Sequence, residues 1–520
     1  MALVAWRATA EKGLGHGVTD SQAARVTAGL ALGAVLVFGG LTSARYLTWH
    51  SFIHDLGSYD QKIWLASTEP SLSGMVEQTY QGGVKVSPCG SARYWGVCHF
   101  QPLHVVYALL YRLSASPLFL LGTQALLVAS GVIPCYLLAR VHLESPVSGV
   151  LAAALYLLHP AVQHNGLLDF RPDHVAIPFF LWAYLLVERG REWRAVAATA
   201  VPALAKESLL LSFAAFGLYF AFLRRRAALG LSMLFAGCVA FYFVTFHVLA
   251  GAGYTEGAFL INRYFSGGQN FFSSELILRK VLYIGALFGP LAFLPLLAPL
   301  TLLPAVPSLA ISLLSSDVTH ASFRSQYTAA AIGPLFAALF AVLAWLPRRF
   351  GPRAAPARIL FGLLVLSASA TFVLGPTPLS ISFWSRSIGA QWHYSQYLPD
   401  RQDVLNEAAK LIPSDPDVMV VSQNDLNSAR LAHRHYYFAF PNGLERADYV
   451  FLDTRRMPFV YWVAKDRRRY EEIVAQLRGS KEYRIVFDRE GVLLFERVGE
   501  RRPGAPDRSL APAPPGAMPQ

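Results

Sequence analysis

Long apolar runs, separated by short polar or basic segments, occupy the chain from about Val26 to Gly375. A helix that crosses a bilayer needs about 20 apolar residues, or fewer where it is broken and buried among other helices. Candidate segments lie at 24–43, 118–139, 146–162, 175–188, 195–205, 208–223, 227–249, 281–302, 305–314, 328–346 and 357–375. The pattern predicts a polytopic α-helical membrane protein with about 11 transmembrane or half-membrane helices.

Arginines cluster in alternate gaps between these runs, as expected of loops that stay in the cytoplasm. The clusters are Arg140, then Arg189, Arg191 and Arg194, then Arg224 to Arg226, and finally Arg348, Arg349, Arg353 and Arg358. The gap near Leu303 should also be cytoplasmic, yet it has no such residue. This placement puts the N-terminus in the cytoplasm and, with an odd number of spans, the C-terminal region outside. It also accounts for the net charge of +12 without nucleic-acid binding.

Charge density becomes ordinary after Gln391, so a soluble region follows the membrane region. Apolar residues recur at helical spacing over 404–412 and 470–477, and strands are expected at 418–421 and 449–452. Alternation on both sides of Gly491 predicts a terminal hairpin. The predicted parts are a cytoplasmic segment 1–23, a transmembrane domain 24–375 with a large first outside loop 45–117, a linker 376–390, a soluble extracytoplasmic α/β domain 391–499 and a disordered tail 500–520.

Two of the four cysteines, Cys135 and Cys238, lie in predicted spans and are expected to be small buried apolar residues. The other two, Cys89 and Cys98, lie in the first outside loop. An oxidising exterior permits a disulfide between them. Unpaired thiols, or a metal site that includes His99, are the alternatives.

The first outside loop opens with two carboxylates five positions apart, Asp55 and Asp60, among aromatic residues. A carboxylate at the membrane surface could act as general base towards a sugar hydroxyl, or help bind a divalent metal ion. The alternative is that either residue caps a helix in a solvated loop.

Three further segments carry ionisable residues that the predicted topology places at the mouth or in the interior of the helix bundle. The segment 169–174 offers Asp, Arg and His side chains, although Asp173 could simply cap the next helix. Lys206-Glu207 lies between two apolar segments. Charged residues at membrane depth usually face a cavity or pair with each other. The third segment, 315–327, contains His320 and Arg324, with Arg324 suited to phosphate by its guanidinium fork. The candidates in the three segments are Asp169, Arg171, His174, Lys206, Glu207, His320 and Arg324.

An ordered series of short motifs resembles a family of prokaryotic membrane proteins known as the domain of unknown function 2079. The motifs are Asp55-Leu56-Gly57 with Asp60-Gln61 and Trp64, His99-Phe100-Gln101-Pro102-Leu103, Asp169-Phe170-Arg171-Pro172-Asp173, Lys206-Glu207 and Ala447-Asp448-Tyr449-Val450-Phe451-Leu452-Asp453. Arg171 stands where the family leads us to expect histidine, which weakens a metal or acid–base role there.

That family is similar in turn to the GT-C superfamily of membrane glycosyltransferases, which use polyprenyl-phosphate sugars. The resemblance implies a multi-pass protein of a prokaryotic cytoplasmic membrane that moves sugar from a lipid-linked donor to a glycan, lipid or protein acceptor. It implies Asp55 as the catalytic acidic residue, then Asp60. The residues expected to bind substrate or lipid phosphate are Gln61, His99, Asp169, Arg171, His174, Lys206, Glu207, His320 and Arg324.

The only cofactor expected is a divalent metal ion, Mg or Mn, held by Asp55, Asp60 and Asp169 if one is used. Two other functions are compatible with the sequence. Broken helices with charged residues at membrane depth also occur in lipid and solute transporters. A non-enzymatic envelope assembly factor, with the soluble domain binding a partner, is the third alternative.

Overall fold

The computed structural model describes residues 18–68, 99–249, 273–316, 319–351, 354–385, 392–434, 437–441, 443–456 and 467–499. These residues form two compact units. The helical unit draws on Met1–Thr42, Leu121–Thr245 and Glu256–Tyr394, and the sheet unit on Ser43–Leu120, Phe246–Thr255 and Ser395–Gln520. Cys89, Cys98 and the tail 500–520 lie outside the described residues, so the disulfide and the disordered tail stay predictions.

In chain order the α-helices are α1 (Asp20–Leu47), α2 (Ser58–Thr68), α3 (His104–Tyr111), α4 (Pro117–Ser130), α5 (Val132–Leu143), α6 (Pro146–Leu157), α7 (Pro160–Leu167), α8 (Ala176–Glu188), α9 (Glu192–Ala203), α10 (Ser208–Phe222), α11 (Ala227–Phe243), α12 (Ser274–Phe288), α13 (Pro299–Leu302), α14 (Val306–Leu314), α15 (Ala329–Phe350), α16 (Pro356–Leu374), α17 (Ile381–Trp384), α18 (Gln402–Lys410), α19 (Ala429–Ala432) and α20 (Arg467–Gly479). Ile53–Gly57 and Val244–Leu249 are π-helical turns. The 3-10 turns are Pro172–Val175, Gly289–Leu291, Leu294–Leu297, Leu303–Ala305, Gln326–Thr328 and Tyr394–Tyr397.

Within the described residues, five stretches are long and apolar enough to cross a membrane. They are Asp20–Leu47, Pro117–Leu143, Ala227–Val248, Gln326–Phe350 and Pro356–Leu374. A sixth results if α6 and α7, bent by 56° at a short break, count as one span. Proline explains that break, because Pro160 cannot continue the hydrogen-bond ladder of α6. Helices occur in all the predicted apolar segments, and the count of about 11 spanning or half-spanning helices stays a prediction.

Helices α10 and α11 pack closely because glycines face each other across their contact. A β-carbon built on Gly217 would meet the backbone oxygen of Gly230 and lie 2.7 Å from the backbone nitrogen of Leu234. Small residues allow this approach in membrane helix pairs, where close packing replaces the hydrophobic effect as the driving force. Cys238 of α11 is exposed, so the prediction that its side chain is buried was wrong. In α11 the buried residues are Gly230, Met233 and Gly237.

Gly217→Val should destabilise the protein by about 1–3 kcal/mol, because the added methyl groups force two backbones apart. The unfolding temperature in detergent micelles should therefore fall. Gly362→Val in α16 is the matched control, since nothing lies within 4 Å of a β-carbon built there. Equal unfolding temperatures for the two variants would contradict the role given to this glycine contact.

The described residues of the sheet unit contain a five-stranded mixed sheet. Its strands are β1 (Val420–Ser422), β2 (Tyr437–Ala439), β3 (Tyr449–Asp453), β4 (Tyr483–Arg489) and β5 (Val492–Arg497), in the spatial order β2-β1-β3-β5-β4. Strand β1 runs parallel to β2 and to β3, whereas β5 runs antiparallel to β3 and β4. The predicted terminal hairpin is thus β4–β5. Strand β2 has only three residues and was not predicted.

Two hydrophobic cores cover the two faces of this sheet. On one face, Ile473 and other apolar residues of α20 pack on Val450 and its neighbours. On the other face, Leu405 and other apolar residues of α18 pack on the sheet together with Trp49 and Ile53, which come from the first loop. The first loop and the C-terminal α/β region are therefore parts of one folding unit, although they are separated by the helical unit in sequence.

Candidate functional site

The turn that carries Asp55 is a single π-helical turn, Ile53–Gly57. The Ile53 N–H donates to the carbonyl of Asn424, just beyond β1, at 2.7 Å. At the other end of the turn, a β-carbon on Gly57 would lie 2.9 Å from Oδ1 of Asn427. Single π turns are frequently found at functional sites. The turn is fixed against the sheet, and Asp55 itself is partly exposed.

The Asp55 turn packs at the carboxyl ends of the parallel strands, where open α/β sheets usually bind ligands. Strands β2, β1 and β3 are parallel, and the crevice beyond the carboxyl ends of such strands is the usual ligand position. Here the chain itself enters the crevice, because Arg456 donates to the carbonyls of Trp49 and Thr48. Asp453, at the end of β3, accepts two hydrogen bonds from Arg401 at 3.0 and 2.9 Å and lies 3.2 Å from Nε of Arg456. These ion pairs position the segment that leads to Asp55.

Asp60 lies in the first turn of α2 and is completely buried. Its Oδ1 accepts a hydrogen bond from the Tyr111 hydroxyl, and Nε2 of His433 lies 3.1 Å from its Oδ2. The His433 ring stacks on Trp64, with 5.3 Å between ring centroids and 4° between the planes. The Asp60 carboxylate thus joins α2, α3 and the segment after α19. His433 and Tyr111 were not predicted as site residues.

Tyr111→Phe should lower stability by about 1.5–3 kcal/mol, because a buried carboxylate loses a hydrogen-bond donor. The matched control is Tyr449→Phe, whose hydroxyl donates to Glu496, a partly exposed carboxylate that Arg484 also binds. Thermal unfolding of the full chain in micelles would show the difference. If both variants unfolded at the same temperature, Asp60 would not depend on Tyr111.

Lys62, one helical turn beyond Tyr59, is a buried cation with 7% of its surface exposed. Its ammonium lies 4.9 Å from the centroid of the Tyr59 ring, and no carboxylate oxygen lies within 4 Å of it in the described ranges. Burial lowers the pKa of Lys62 to about 8. A cation–π contact contributes about 0.5–2 kcal/mol, whereas burying an ion costs several kcal/mol. The ring alone does not offset that cost.

Two more buried polar side chains adjoin Tyr59. The His104 ring meets the Tyr59 ring edge to face at 5.6 Å, and neither of its nitrogens has a hydrogen-bond partner among the described residues. Burial, with smaller effects of Lys62 and His99, holds the pKa of His104 well below its usual value. The Gln101 amide nitrogen lies 3.4 Å from the Tyr59 hydroxyl, and its Oε1 is buried without a partner in that same part of the chain.

In the helical unit, three of the segments singled out in the sequence meet around one tyrosine. Nζ of Lys206 lies 3.5 Å from Oδ2 of Asp173 and 5.1 Å from the centroid of the Tyr327 ring. His320 packs against the same ring, with 4.3 Å between centroids, and its Nδ1 lies 2.8 Å from Oγ of Ser315. Tyr327 was not predicted as a site residue, since an aromatic residue near a helix start carries no distinctive signal.

The other predicted site residues are dispersed over both units. Asp169, His174 and Glu207 are buried, and the backbone N–H of Arg171 donates to Oε1 of Gln124 at 2.9 Å. The guanidinium of Arg324 lies over the Phe323 ring, 5.4 Å from its centroid. In the sheet unit, His99 is partly exposed and the Gln61 amide donates to the carbonyl of Arg434 at 2.7 Å. Among the described residues, no group of three or more His, Cys, Asp or Glu side chains could hold a metal ion.

Residues 50–494 match the family described as Predicted membrane protein (DUF2079). The chain belongs to this family. The match includes Asp55 and most of the sheet. It also includes Lys62 with its neighbours Tyr59 and His104, and Lys206 with its neighbours Asp173 and Tyr327. A search of curated proteins gives no match for this DUF2079 protein.

Solved structures of other proteins are similar in fold to the DUF2079 chain. The crystal structure of ArnT from Cupriavidus metallidurans in the apo state matches with a TM-score of 0.50 and 12% identity, over 91% of this chain and 98% of that one. The Archaeoglobus fulgidus oligosaccharyltransferase structure, complexed with Zn and sulfate, matches with a TM-score of 0.41 and 14% identity, over 90% and 73% of the two chains. The first likeness shows that this DUF2079 protein shares the fold of the ArnT structure.

Proposed function

We propose that this protein is a membrane glycosyltransferase that moves a sugar from a polyprenyl-phosphate carrier to a glycan, lipid or protein acceptor. The observation that carries the proposal is the Asp55 turn, which is held against the sheet in a chain that resembles the GT-C superfamily of membrane glycosyltransferases. In this proposal the first loop and the sheet face the extracytoplasmic side, where the lipid-linked donor presents its sugar.

Asp55 is the general base in the proposed reaction. A base must reach the proton that it removes, and Asp55 is partly exposed, whereas Asp60 is buried against Tyr111 and His433. Asp60 is therefore assigned as a positioning residue. The Asp55 carboxylate takes the proton of the acceptor hydroxyl, whose oxygen attacks the anomeric carbon. The bond from that carbon to the phosphate oxygen breaks, and the lipid phosphate leaves with the electron pair. Because the acceptor oxygen attacks from the opposite side, the anomeric centre is inverted.

The leaving phosphate needs fixed positive charge more than it needs a proton. Lys206, held beside Asp173 and Tyr327 in the helical unit, is the first candidate from the sequence for this charge. Arg324 and Arg171 are secondary candidates. Asp60 already has Tyr111 and His433 as partners, and the described side chains do not supply three metal ligands, so no step is assigned to Mg or Mn.

A transfer assay tests the function. The purified protein in liposomes would receive a panel of radiolabelled polyprenyl-phosphate sugars together with membrane extract as the acceptor source. Label should move from one donor to an acceptor, and liposomes without protein should give none. If no donor is consumed by correctly folded protein while labelled lipid crosses the bilayer, the chain is a transporter.

A further inference from the structure

We propose that Lys62, His104 and Gln101 form a binding site for a phosphate-type oxyanion. The site goes beyond the transferase proposal, because it is argued from uncompensated buried groups and holds whether or not sugar is transferred. Its three side chains come from α2, from the first residue of α3 and from the segment just before α3, and each adjoins Tyr59.

Lys62 and His104 lack a negatively charged acceptor, and Oε1 of Gln101 lacks a donor, among the described residues. Lys62 is buried beside an aromatic ring, without a carboxylate within ion-pair distance in the described part of the chain. His104 is 1% exposed, and its two nitrogens make no hydrogen bond with any described residue. Buried polar groups are normally hydrogen-bonded, so a buried cation beside the unpartnered nitrogens of His104 and Oε1 of Gln101 is a departure that calls for a ligand.

The oxygens of a phosphate monoester satisfy Lys62 and His104, and Gln101 accepts from a hydroxyl that the ligand carries. The phosphate oxygens accept from the Lys62 ammonium and from the N–H of neutral His104, and a P–OH or neighbouring sugar hydroxyl donates to Oε1 of Gln101. A compact ammonium suits a phosphate as a point charge. The same chemistry is offered by the headgroup of a lipid phosphate and by free phosphate, so the experiment separates these sources.

The site is tested by binding to the full-length protein in nanodiscs, with farnesyl phosphate, inorganic phosphate and farnesol as probes. We expect Lys62→Met to weaken farnesyl phosphate binding by roughly tenfold or more, since a charge-assisted hydrogen bond is lost. Lys62→Arg should keep most of the affinity, and Lys481→Met, at an exposed lysine of the same unit, should keep all of it. Unfolding temperatures identify any variant that fails to fold.

The pH dependence of farnesyl phosphate affinity gives a second test of the site, and it does not require the Lys62→Met variant. The Lys62 ammonium is present below about pH 8 and is lost above it, because burial lowers its pKa. Tyr59 lies beside Lys62, and His104 interacts electrostatically with Lys62 and with His99. Affinity for farnesyl phosphate should fall between pH 8 and pH 10 in the wild type and stay level in Lys62→Arg.

Each binding result either supports or overturns the proposed phosphate site. Binding of farnesyl phosphate that inorganic phosphate displaces supports the site with phosphate itself as ligand, and binding that only the lipid phosphate shows supports the lipid headgroup. Equal binding by wild type and folded Lys62→Met, or equal competition by farnesol, would overturn the proposal. A protein that binds phosphate through Lys62 but transfers no sugar keeps this site and loses only the proposed function.

Discussion

Asp55→Asn should slow sugar transfer by about 10²–10⁴-fold, the usual contribution of a general base, while leaving the unfolding temperature unchanged. The asparagine amide keeps the size of the side chain but cannot accept the proton of the acceptor hydroxyl. Because the π turn is fixed by the backbone of Ile53 and by Gly57, the substitution should not alter its position. Initial rates with the donor identified by the transfer assay would measure the effect.

Asp403→Asn is the matched control, because Asp403 is an exposed carboxylate in the first turn of α18 in the same unit. It should transfer sugar at the wild-type rate. Asp55→Glu should retain part of the activity, since a carboxylate is present but displaced by one methylene group. Wild-type rates in Asp55→Asn would remove Asp55 as the base and leave the role to another residue.

Asp453→Ala should destabilise the sheet unit by about 3–5 kcal/mol, the cost of leaving a buried charge without its partner. The carboxylate is completely buried and binds both Arg401 and Arg456. Its removal should also release the contacts of Arg456 with Thr48 and Trp49 and so loosen the segment before Asp55. Backbone hydrogen exchange of the full chain in micelles should rise in both the sheet and residues 48–57.

Asp488→Ala provides the comparison, since Asp488 pairs with Arg478 at 2.9 Å on the surface, where both side chains are more than 40% exposed. Exposed pairs contribute about 0–1 kcal/mol, so exchange should barely change. If Asp453→Ala behaved like Asp488→Ala, the link from β3 to the first loop would not be a source of stability.

Local patterns were enough to predict much of the sheet unit. Leu405, Ala408 and Ala409 share one face of α18 because they recur at helical spacing, and alternation around Gly491 identified the β4–β5 hairpin. Strand β2 was missed, because three residues are too few to show a period. The same local information could not reveal that Trp49 and Ile53 complete the core of a distant sheet.

The candidate site was predictable only in part, for the same reason. Asp55, Asp60 and Lys206 stand out in sequence because carboxylates or charges near apolar segments are costly and therefore conspicuous. His433 and Tyr327 do not, since a single histidine or tyrosine acquires meaning only from neighbours far away in sequence. Lys62 was passed over because, beside Asp60 and Gln61, it looked like an ordinary polar residue on a helix.

The union of the first loop with the C-terminal sheet also sets the order of events during synthesis. Gln61 contacts the carbonyl of Arg434, a partner 373 positions later in the chain. At about 5–20 residues per second, a ribosome needs roughly 20–75 s to reach that partner. Throughout that interval the nascent protein has its first loop but not the sheet that shapes it. A message truncated before the codons of β3 to β5 would therefore yield a protein whose first loop lacks its partner sheet, and cellular quality control would encounter the first loop in the same unfinished condition.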